Sequence, residues 1–85
     1  MTHEDQVTAG PGGVMTVEVG VVTGDLTVVT TVRDDKAHIA VQYTGADEWY
    51  TLQGSPVPLR GRTGADVHRE VLERVRAGGE ATAPD

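Results

Sequence analysis

Apolar residues alternate with polar ones from Met15 to Val21, with Met15, Val17, Val19 and Val21 on one phase and Thr16, Glu18 and Gly20 on the other. A period of two does not fit a helix stripe; it is the pattern of a strand that buries one face. The segment Leu26 to Arg33 continues it, with Leu26, Val28 and Val32 set against Thr27, Thr31 and Arg33. Gly24 and Asp25 separate the two runs, and glycine at the first central position supplies the positive φ that a two-residue type II′ hairpin turn requires. Such a loop sets the register: Thr23 lies opposite Leu26, Val21 opposite Val28 and Val17 opposite Val32, so both apolar sets share a face. A chain organised this way is excluded from the all-helical classes.

The same reasoning extends the sheet. A turn at Asp35-Lys36 pairs Val32 with Ile39 and Val28 with Tyr43, keeping Ile39, Val41 and Tyr43 on the apolar face. A fourth strand, Trp49 to Leu52, pairs Tyr43 with Tyr50 and Val41 with Leu52, and it turns Trp49 to the opposite face. Pro56 and Pro58 then end the sheet, because proline has no ladder donor. The last element is a helix: Thr63 caps it, Asp66 completes a capping box, and Val67, Val71, Leu72 and Val75 form its apolar stripe. Gly78 stops it. The expected fold is α+β, a four-stranded antiparallel β-meander with one C-terminal α-helix packed on one face (ββββα). It occupies residues 14–78, between a flexible leader at 1–13 and a flexible tail at 79–85, both poor in apolar residues and rich in Gly, Pro or acids.

Composition limits the chemistry more than the fold. The chain has 85 residues and no Cys, so disulfides, thiolate metal sites and cysteine nucleophiles are excluded. With no Phe and a single Trp, the core must be made of Val, Leu and Ile. No apolar stretch approaches the roughly 20 residues of a membrane-spanning helix, and the acidic start Met1-Thr2-His3-Glu4-Asp5 is unlike a signal peptide; no membrane association and a cytoplasmic location are expected. The net charge is -6, to which Glu4, Asp5, Glu80 and Asp85 at the two ends contribute heavily.

No catalytic pattern is present. His3, His38 and His68 lack ligand spacing, so no metal and no cofactor is expected. The acids cluster at turns, and Ser55, the one serine, precedes a proline. The chain is therefore expected not to be an enzyme. Arg60, Arg62, Thr63 and Gly64 lead directly into the helix N-terminus and form a candidate anion site for a small ligand, although neither GxxxxGK[ST] nor GxGxxG occurs. Between Arg60 and Arg76 five Arg are interleaved with Asp66, Glu70 and Glu73; that small excess argues against nucleic acid as a partner and leaves a nucleic-acid-associated regulator as a second alternative.

Trp49 stands out as the large aromatic expected on the uncovered sheet face, near His38, Gln42 and Val29. Large aromatics dominate contact energetics at interfaces. These four residues form the candidate partner-binding patch of a small non-catalytic protein-interaction or accessory domain. A protein partner or a homodimer is the expected occupant, the latter through the open face or by strand addition at a sheet edge. The strands-then-helix order is similar to that of the small accessory proteins of nonribosomal peptide synthetases, but their Ser-Leu-Trp-Pro-type segment is absent, Trp49 being followed by Tyr50 and Thr51.

Overall fold

A computed structural model describes residues 1–85. Its elements are β1 (Thr2–Thr8), β2 (Val14–Thr16), β3 (Gly20–Val22), β4 (Asp25–Arg33), β5 (Lys36–Tyr43), β6 (Tyr50–Thr51), β7 (Val57–Pro58) and α1 (Gly64–Ala77). The fold is α+β: an antiparallel sheet in the order β1-β4-β5-β6, with β7 also on β5, a separate β2–β3 hairpin, and one C-terminal helix.

Parity places the core. Leu26, Val28, Thr30 and Val32 of β4 pair with Tyr43, Val41, Ile39 and Ala37 of β5, and α1 covers that side, as the bond from His68 to Thr30 shows. Val67, Val71 and Val75 of α1 are fully buried together with Val14, Leu26, Val28, Val41, Leu52 and Val57. The helix begins and ends as its sequence dictates. Thr63 Oγ1 accepts from the Asp66 N–H and Asp66 Oδ2 accepts from the Thr63 N–H, each at 3.0 Å, and Gly78 at φ 75° closes the last turn on the Arg74 and Val75 carbonyls.

Several expectations need correction. Residues 1–13 are not a flexible leader, since Thr2–Thr8 is the strand that flanks β4, with Val7 opposite Leu26 and Asp5 opposite Val28. Its inward residues are His3, Asp5 and Val7, so polar side chains hide the alternation. The run Met15–Val21 does not pair with β4. It folds on itself as β2–β3, with Val14 opposite Val22 and Met15 opposite Val21, and it buries Val14, Thr16 and Val22 rather than the odd-numbered apolar phase. Gly24 does adopt positive φ, 87°, but at the bend between β3 and β4.

The next two hairpins keep the expected faces with registers moved by two residues. The turn residues are Asp34 and Asp35, with Arg33 opposite Lys36 and Val32 opposite Ala37, and β6 sets Val41 opposite Tyr50 and Ala40 opposite Thr51. A shift of two preserves the side-chain phase, whereas a shift of one would have reversed it. Residues 79–85 are not a loose tail: Ala81 bridges Val14, Ala83 and Pro84 are buried, and the Ala83 N–H donates to the Gln53 carbonyl at 2.9 Å.

Candidate functional site

The face of the main sheet turned away from α1 carries Val29, Thr31 and Arg33 from β4 and His38, Ala40 and Gln42 from β5. The pairs run Thr27 with Gln42, Val29 with Ala40, and Thr31 with His38. Thr2, Glu4, Gln6 and Thr8 continue this face on β1, opposite odd-numbered residues of β4. Its middle is a shallow groove of about 380 Å³, lined by Val29, Ala40, Thr31 and His38, by Arg33, and by Thr51 and Pro56 from the adjoining segment. That volume is at the lower end of ligand-sized clefts. The Ser55 Oγ on the groove wall accepts the Ile39 N–H at 2.8 Å, which fixes the wall where β5 has no partner strand between β6 and β7.

The structure therefore brings Val29 and His38 together. Gln42 lies on the same face, with Nε2 donating to the Ala46 carbonyl at 2.9 Å. Trp49 precedes β6 and is outside the groove lining. It is 44% exposed and lies just outside the β5–β6 ladder, which begins at Tyr50. The alternation also holds information about Arg33 and Thr31, which sit on the Val29 phase, and these two join the groove once the face is assigned.

The Arg60–Gly64 turn is built differently from an anion cradle. Arg62 Nε–H donates to the Leu59 carbonyl at 2.8 Å and its Nη2 to the Pro58 carbonyl at 2.9 Å, while Nη1 faces both Glu70 carboxylate oxygens at 3.3 Å and the Pro84 carbonyl at 3.4 Å. The guanidinium is thus a clamp between β7, α1 and the C-terminal segment. Arg60 reaches Asp85 at 3.2 Å. At the helix N-terminus the anion is already supplied by Asp66, whose carboxyl is held below the usual carboxylate range chiefly by the Thr63 backbone N–H, then by the Thr63 side chain, and less by Arg69. Gly64 packs closely on the sheet, where a Cβ would lie 2.7 Å from Val32 Cγ2.

A third cluster lies in the seam between α1 and the sheet. His68 Nδ1 shares a hydrogen bond with Thr30 Oγ1 at 2.8 Å, its Nε2 shares one with Asp5 Oδ2 at 2.9 Å, and the His3 ring stacks on it at 5.6 Å between centroids. The Asp-His-Thr order resembles a nucleophile relay, but Thr30 is completely buried, and a substrate cannot approach it. The cluster ties β1, β4 and α1 together.

No family model, curated protein or solved structure matches the chain. The geometry alone therefore carries the functional reading.

Proposed function

We propose that this chain is a non-catalytic protein-interaction domain that presents the sheet face opposite α1 to a protein partner. The observation that carries this reading is the uncovered face itself. One side of the β4–β5 ladder is sealed by the helix and the core, while the other holds an open groove between Val29, Ala40 and His38; a half-exposed Trp49 lies outside that lining, just before β6. An exposed large aromatic offers area to a partner at little conformational cost. The sequestration of Thr30 supports a non-catalytic role. The alternative site at Arg60 and Arg62 is weakened by donors already engaged within the chain. No helix is long and apolar enough to cross a membrane.

Site-specific photo-crosslinking in the cells that make the protein tests this. A crosslinking residue at Thr31 or Gln42 should give a discrete protein adduct, and one at Arg69, on the exposed side of α1, should not. Absence of adducts at both sheet positions, or equal labelling from Arg69, overturns the reading.

A further inference from the structure

The two edges of the main sheet are finished in different ways. On the β5 side, β6 and β7 both pair with β5 and the Ser55 Oγ takes the Ile39 N–H between them. Beyond β6, the Val17 N–H donates to the Thr51 carbonyl, and the Glu18 carboxylate takes the Thr51 N–H and hydroxyl. That edge is closed. On the other side β1 is the last strand. The Val32 N–H donates to the Met1 carbonyl and the Ala9 N–H to the Gly24 carbonyl, so the odd-numbered residues of β1 direct their main-chain groups at β4. Antiparallel pairing then turns the N–H and C=O of Thr2, Glu4, Gln6 and Thr8 outward. All four residues are exposed, and no hydrogen bond within the chain uses those groups.

We propose that β1 is a strand-addition site for an extended basic segment of a partner protein. Main-chain pairing supplies the binding mode, and charge selects the occupant. β1 carries Glu4 and Asp5 and no Lys or Arg, and the chain as a whole carries -6. A second copy is a poor occupant. Only even-numbered residues can pair outward, so the full antiparallel overlap sets Asp5 directly against Asp5 of the copy, the overlap centred on Glu4 does the same to Glu4, and a copy escapes like-charge pairs only by giving up the full overlap, as when it centres on Gln6. Like charges directly opposite destabilise a ladder, whereas Lys or Arg facing Glu4 stabilises it. The receiving strand is already ordered, since seven cross-strand positions hold it to β4 and Asp5 anchors it to His68; little of the ordering cost falls on this side of the complex. The proposal does not depend on the open sheet face, and either can fail alone.

The test is a titration of the ¹⁵N-labelled full chain with an acetylated heptapeptide of alternating Val and Lys. Solvent exchange of the Glu4 and Gln6 amides should slow at least tenfold at saturation, while the Asp5 and Val7 amides, already paired with β4, change little. The matching Val–Glu peptide and an N-methylated Val–Lys peptide should leave all four unchanged. Gln6→Pro removes one outward donor at a position where an edge strand tolerates proline, and it should abolish the slowing at Glu4. If that variant does not fold, Glu4→Lys decides the matter by reversing the preference toward the Val–Glu peptide. No slowing at millimolar Val–Lys peptide, equal slowing by the Val–Glu peptide, or a β1-paired dimer of the free chain in sedimentation would each overturn the proposal.

Discussion

Asp34 and Asp35 both adopt positive φ, 53° and 61°, in a two-residue loop closed by Arg33 opposite Lys36. This is type I′ geometry, whose twist matches that of the flanking strands. Asp tolerates the left-handed region better than most residues, but glycine occupies it with no Cβ penalty. The hairpin was legible in the sequence and its exact loop was not. Asp34-Asp35 and Asp35-Lys36 are both polar pairs that preserve the apolar phase, and the choice depends on which residues accept positive φ. Asp35→Gly should stabilise the domain by about 0.5 kcal/mol, the relief of strain exceeding the entropy that glycine adds to the unfolded chain. Asp35→Val should destabilise it by about 1–2 kcal/mol, since a β-branched side chain is poorly accommodated there. Urea midpoints for the two variants, which should fall on opposite sides of the parent, check both signs.

Elements whose signal is local could be read from the chain. The helix carries its cap, its stripe and its stop within one segment, and all three occur in the structure. β1 could not be read this way, because His3 and Asp5 point inward and meet His68, more than sixty residues later in the chain. The groove was partly legible for a related reason: Val29 and His38 were placed by phase, while Thr51 and Pro56 depend on where the segment after β5 returns. The β2–β3 hairpin shows how such distant elements are joined. Glu18, in the turn of that hairpin, accepts the Thr51 N–H and hydroxyl at 2.7 Å each, and these bonds, the hydroxyl first, hold its carboxyl below the ordinary glutamate range. Between the ordinary value of about 4.3 and the lower native one, the unfolded chain binds more protons than the folded chain. The contribution of this clamp is therefore fully present above that window and is lost as pH falls through the native value. Glu18→Gln removes the titration, so the melting-temperature difference between parent and variant should be constant above pH ~5 and shrink as the solution is acidified below ~4.3. A difference that stays flat down the whole acid limb would show that the carboxylate does not hold Thr51 in solution. Asp66 titrates in both proteins and cancels from the comparison.

At the scale of the whole molecule, the two ends of the chain close the core rather than trailing from it. Neither role has a compositional signature: the segment from Gly78 to Asp85 is polar and glycine-rich like any linker, and its order comes from the surface it meets. Ala81 lies parallel to Val14, its carbonyl accepts the Met15 N–H at 2.9 Å, and its own N–H donates to the Gly13 carbonyl at 3.0 Å. Two residues on, the Ala83 N–H bonds to Gln53, and the Pro84 carbonyl faces Arg62. Val14 and Leu52 are completely buried in this arrangement. Removing residues 81–85 would expose the apolar surface beneath Ala83 and Pro84 and release Arg62 from one of its carbonyls. At about 25 cal/mol per Å² of apolar surface, together with the lost hydrogen bonds, a destabilisation of about 2–4 kcal/mol is expected. In a domain of this size each kcal/mol moves the melting temperature by roughly 4–8 °C. Truncation after Glu80 should therefore lower it by at least about 8 °C, whereas a loose tail would be removed with no change. Thermal unfolding of the truncated chain followed by circular dichroism distinguishes the two, and Ala83→Asp, which places a charge in the same buried position, should reproduce the loss in a full-length chain.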